Sequence, residues 1–113
     1  MSDLLHVSVA EALGWVRTRP DALEVGSWRG VEPTLGQVET IPRYDTDWSA
    51  TGPLMRRLWI GVSPTHHPSP DEWEAYHSPS GATTTADDPL VAVCNLILVL
   101  SAAGKIKSER DAR

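Results

Sequence analysis

The chain of 113 residues has no phenylalanine, one cysteine, and lysine only at Lys105 and Lys107. Each shortage removes a class of protein. Cys94 has no partner for an internal disulfide and, set in an apolar stretch, reads as a buried structural thiol of a reducing cytoplasm. Scarce lysine with a formal charge of -5 argues against nonspecific binding of a nucleic-acid polymer, which needs basic patches. No apolar run reaches the ~20 residues that cross a bilayer. Met1-Ser2-Asp3-Leu4-Leu5 lacks the charged and apolar regions of a signal peptide. A soluble cytoplasmic protein with no membrane contact is the expectation. Glycine-rich phosphate loops, GxSxG and HExxH are missing as well. Nothing supports catalysis, a cofactor or a metal centre.

What the chain does have is one strongly marked segment, Asp88 to Gly104. Asp87 or Asp88 suits a helix cap, Pro89 the first helical position, and Gly104 the left-handed residue past the last turn. Between them Asn95 is the only strongly polar side chain. A helix apolar all round needs partners on every side, so it is expected in a core or shared with a second subunit. A homo-oligomer, dimer or higher, follows as an expectation.

Earlier elements are less sharply drawn. Ser8-Val9-Ala10-Glu11 has the form of a capping box, followed by a helical rhythm in Val9, Ala12, Leu13 and Val16. Gly14 can end that helix, with extended chain from Trp15. Residues 22–41 read as irregular or short strands. Asp45-Thr46-Asp47-Trp48 offers a cap and a first-turn carboxylate, while Gly52-Pro53 either interrupts the helix or kinks it. Leu58, Ile60 and Val62 alternate as a strand should, and Trp73 to His77 makes its antiparallel partner. Pro64 to Pro70 reads as a surface loop and 78–88 as a loop or edge strand. The length suits one domain. The expected architecture is α+β over 1–104, a small antiparallel sheet flanked by helices in an α/β/α sandwich, with a charged tail at 105–113.

Four segments in order carry a resemblance: Val9 to Trp15, Ile41 to Ala50, Trp73-Glu74-Ala75, and Pro89 to Ile97. Together they resemble the phage ABA-sandwich domain family, in which a helix ending in Gly-Trp, a Pro-x-Tyr helix start, a Trp-led strand and a proline-led helix follow one another. Asp47-Trp48, Gly52-Pro53-Leu54 and the last helix are also similar to NinX-like phage proteins. Asn95 stands where the family tends to carry arginine. The resemblance touches most of 8–104 and implies a small antiparallel sheet between helices in a phage or prophage accessory protein.

The candidate chemistry rests on few residues. Asp45 and Asp47 could form an acid–base or metal pair, but a cap with its first-turn carboxylate explains the same spacing. His66 and His67, with Asp71, Glu72 and His77, are ligand types without a zinc-site spacing, and a solvated loop is the simpler reading. Five tryptophans (Trp15, Trp28, Trp48, Trp59, Trp73) are more than one small core holds, so one or two are expected on a cleft or a subunit contact. Arg43, Arg56 and Arg57 can grip phosphate or carboxylate bidentately. The expected site is therefore Trp48, Trp59, Arg56, Arg57, Arg43, Tyr44 and Asp47, holding a small anionic, nucleotide-like ligand. Three functions are consistent with these residues. The first is a counter-defence protein that sequesters a nucleotide signal, and the second an inhibitor that docks its acidic surface on a host protein. A metal-dependent hydrolase built from Asp45, Asp47 and His66, His67 or His77 ranks third.

Overall fold

Helix ends set the layout of this chain, and each has a local cause. The computed structural model describes residues 4–65 and 72–105. The first helix, α1 (Leu5–Ala12), begins ahead of the capping box read from the sequence. Ser8 lies inside it, and Leu4 at the cap position provides no side-chain acceptor. His6 and Val7 are buried with Val9 and Ala10. Packing of that face extends the helix backward, outweighing the ~1 kcal/mol that a cap contributes. Gly14, at φ 109°, ends it. The Gly14 N–H donates to the Glu11 carbonyl at 3.1 Å and the Trp15 N–H to the Ala10 carbonyl at 3.0 Å, the paired bonds of a Schellman closure.

Extended chain follows at once. β1 (Val16–Pro20), β2 (Trp28–Val31) and β3 (Val38–Thr40) form an antiparallel meander in that order. A register irregularity between Val16 and Arg19 breaks the β1–β2 pairing, and Arg17 there takes φ 54°. Trp15 is buried because Gly30 leaves room: a Cβ on Gly30 would stand 3.3 Å from the Trp15 ring.

α2 (Trp48–Leu58) is capped by Asp47, whose carboxylate accepts from the Ser49 N–H at 3.0 Å and the Ser49 hydroxyl at 2.6 Å. The cap is thus Asp47 and not Asp45, which serves elsewhere. The helix runs unbroken through Pro53. Proline costs it the bond to the Ser49 carbonyl. Only Thr51 and Leu54 are buried in this helix. Thr51 donates its hydroxyl to the Tyr44 carbonyl at 2.6 Å, tying the helix to the segment before it.

β4 (Ile60–Pro64), β5 (Trp73–His77) and β6 (Thr83–Ala86) form a second antiparallel sheet in that order. The expected pairing of β4 with β5 holds, running from Ile60 opposite His77 to Pro64 opposite Trp73. Leu58 remains in α2, so the alternation starts two residues later. The loop reading for 64–70 and the histidines His66 and His67 lie largely outside the described residues, with Pro64 closing the ladder.

α3 (Pro89–Ala102) has the predicted ends. Asp88 accepts from the Leu90 and Val91 N–H groups at 2.9 and 3.2 Å, Pro89 starts the helix, and Gly104 takes φ 71° while Lys105 N–H reaches the Leu100 carbonyl at 2.8 Å. It packs on all three strands of the second sheet and against α1 and α2. The Thr84 hydroxyl donates to the Ala92 carbonyl at 2.6 Å, joining sheet to helix. Leu90, Ala92, Val93, Cys94, Leu96, Ile97 and Leu100 are buried, leaving Val99 as the large apolar side chain open to solvent. The need for partners all round, which suggested a second subunit, is thus met almost entirely within one chain. The fold is α+β, its strands divided between two small sheets where one had been expected. No helix among the described residues is long and apolar enough to cross a membrane.

Candidate functional site

α1 and α3 end on glycine in the left-handed region, but α2 ends on Trp59, at φ 61° and ψ 44°. A side chain with a Cβ pays about 1–2 kcal/mol for that conformation. Two neighbours hold it there: the Trp59 N–H caps α2 on Met55 and Arg56 carbonyls, and the Trp59 carbonyl accepts from Ser78 N–H at 3.1 Å. The chain must turn from α2 directly into β4, so the backbone at 59 is dictated from both sides. The result is a tryptophan 70% exposed, the reverse of what burial preference favours for this residue.

Around this indole lie two adjoining recesses. One, of about 460 Å³, is lined by Met55, Arg56, Trp59, Ile60, Gly61, Tyr76 and Ser78. The other, of about 680 Å³, is lined by Gly52, Pro53, Arg56, Arg57 and Trp59. Both fall in the range of small-molecule sites. Hairpin register builds the first: Gly61 sits opposite Tyr76, and the Tyr76 ring fills the space a Cβ would take, 2.8 Å from Cε2. Alternation along β5 buries Ala75 and His77 and turns Tyr76 outward. His77 Nδ1 meets the Ser80 hydroxyl at 2.7 Å, which steadies the turn after Ser78. Arg56 and Arg57 lie in the last turn of α2, where cations suit the helix dipole.

The expected site residues therefore separate. Trp59, Arg56 and Arg57 come together. Trp48 is half exposed at the opposite end of α2, ~16 Å along the helix axis. Asp47 beside it is committed to the cap, with the Ser49 hydroxyl and N–H holding its carboxyl below the usual range. Tyr44 is buried. Arg43 donates bidentately to Asp45, both bonds at 3.0 Å, and borders a separate recess of about 230 Å³ with Leu4, Gly26 and Trp28. Tyr76 and Gly61 escaped the sequence reading. Their signal lay in counting the register back from the 60–77 pairing, which places a ring over the glycine.

Asp45 is 7% exposed. Burial raises its pKa, but the hydrogen bonds and charge of Arg43 outweigh this and hold it below the ordinary carboxylate value. An acid–base role for an Asp45/Asp47 pair is replaced by an ion pair and a cap. His6 beside this pair is 1% exposed, and neither ring nitrogen has a hydrogen-bond partner among the described residues. Burial, then the charge of Arg43, lowers its pKa. Burial pushes the Cys94 thiol up to about 12, with Asp45 and Asp88 adding to the effect. A protonated, enclosed thiol is no nucleophile. Among the described residues no three His, Cys, Asp or Glu side chains group as metal ligands. His66, His67 and Asp71 lie outside the described residues. No protein-family model and no curated protein matches this chain.

Proposed function

We propose that this protein is a non-enzymatic binder that holds a planar, anionic, nucleotide-type ligand on the Trp59 face and withholds it from other proteins. The observation that carries the reading is Trp59 itself, exposed on a left-handed helix end between two recesses. A non-glycine residue held in the left-handed region is a starting point for a functional hypothesis. An indole offers a stacking face to any base. Arg56 and Arg57 supply the charge for phosphate. They have to, because the carbonyl end of α2 repels an anion and the chain is acidic overall.

The resemblance to phage ABA-sandwich and NinX-like proteins supplies the context: a phage or prophage counter-defence protein acting in the host cytoplasm on a nucleotide signal. A homo-oligomer that pairs such faces belongs to the same proposal. Isothermal titration against cyclic dinucleotides and ADP-ribose derivatives tests the reading. Binding with tryptophan quenching, lost in Trp59→Ala, is expected; a folded protein that binds none of them removes it.

A second reading, docking on a host protein, is favoured by Leu23 and Val25, 97% and 101% exposed between β1 and β2. A host protein captured by the wild type and lost in Leu23→Ser with Val25→Ser, or on neutralising surface carboxylates, supports it; a pull-down that captures no host protein counts against it.

A further inference from the structure

We propose that the ligand carries two planar rings joined through a phosphate linker, and that it straddles Trp59 with one ring in each recess. This rests on the binding reading above and specifies its ligand class. Trp59 and Arg56 are the residues common to both recesses, so both stand where the two meet. Trp59 is 70% exposed and lines both recesses. A base stacked on the indole from either recess is worth ~1–3 kcal/mol.

The two recesses differ in their other walls. In the first, Tyr76 over Gly61 provides a second ring facing the same space, with Met55 as its apolar neighbour. In the second, Gly52 and Pro53 form a low floor: a Cβ on Gly52 would meet nothing within 4 Å. Arg56 borders both and Arg57 only the second. A phosphate between two rings would thus meet Arg56 at the crossing. A mononucleotide can occupy either side but gains only one stack. Linking the rings makes the second contact intramolecular, which raises affinity without any new group on the protein.

The test titrates dinucleoside monophosphates of adenine, guanine, cytosine and uracil against their own mononucleotides, read by calorimetry and tryptophan fluorescence. At least one dinucleotide is expected to bind one per chain and tenfold or more tighter than its mononucleotide. Gly52→Leu places bulk in the second recess, where a Cβ meets nothing beyond its own helix; because a side chain before Pro53 strains helical backbone, a cooperative melt by circular dichroism accompanies the titration, and Arg57→Ala, bordering the second recess alone, is the parallel variant. Each variant should erase the dinucleotide advantage while a mononucleotide still binds in the first recess. Equal affinity of both ligand types, or a Gly52→Leu effect that weakens both alike, overturns the straddling mode while the binding reading stands. Absence of binding by every ligand in this series, and by the cyclic dinucleotides and ADP-ribose derivatives above, overturns both.

Discussion

Gly61 and Tyr76 face each other across the β4–β5 hairpin, and the Tyr76 ring occupies the volume that any Gly61 side chain would need. The pair shapes the smaller recess, so one methyl group tests it. Gly61→Ala must push the ring aside, and because the atoms in its way are the outer end of an exposed side chain the cost lies at the low end of the ~1–3 kcal/mol of overpacking. Urea denaturation should show that loss, and Gly61→Ala in a Tyr76→Ala background should regain most of it. Full additivity of the two substitutions would contradict the contact.

Trp59 permits a comparison free of its side chain. Trp59→Ala and Trp59→Gly both delete the indole, but only glycine is at ease at φ 61°. Trp59→Gly should therefore be more stable than Trp59→Ala by ~1 kcal/mol, measured as a difference in denaturation midpoint at equal slope. If the alanine protein is the more stable, the left-handed end of α2 is wrong.

His6 makes folding sensitive to mild acid. Its folded pKa lies below its unfolded one, so the unfolded chain binds the proton first. Stability is fully present above the unfolded value near ~6.5 and falls as pH drops from there through the lower folded value. Asp45, also depressed, loses its contribution only at lower pH, below the ordinary carboxylate value of ~3.9. The His6 loss therefore begins at a higher pH than the Asp45 loss. His6→Met removes two unsatisfied buried nitrogens and should raise stability by ~1–2 kcal/mol at pH 5.5. A decline between pH 7 and 5.5 that persists in His6→Met would assign it to another group.

α3 gives a paired test of burial. Leu100 is fully enclosed and Val99 is 47% exposed, one residue apart. Leu100→Asp buries an unpaired charge and should abolish the cooperative melt followed by circular dichroism. Val99→Asp should cost no more than ~0.5 kcal/mol. Light scattering of the same protein addresses assembly: a two-fold contact through α3 has to cover Val99. A wild-type oligomer whose mass survives Val99→Asp would place the contact elsewhere.

Much of this protein was readable from its sequence wherever the governing interaction is local. Asp88, Pro89 and Gly104 bound α3 because capping bonds span only a few residues, and Gly14 ends α1 for the same reason. The β4–β5 pairing followed from alternation on both sides of a proline-rich stretch. Arg56, Arg57 and Trp59 stand together because they are adjacent in the chain. Local signals failed where two of them competed. Ser8 and Asp45 each looked like a cap, and burial of His6 and the Arg43 ion pair decided otherwise.

Tertiary structure alone decided the character of the Trp59 face. Nothing local marks position 59 as left-handed; the requirement comes from α2 having to deliver the chain into β4 while Ser78 bonds its carbonyl. Tyr76 reaches the same place through cross-strand register, from a residue seventeen positions away in sequence. Sequence sets which side chains exist and which turns they favour. Where two distant segments meet, and so which faces stay open to solvent, depends on packing summed over the whole chain.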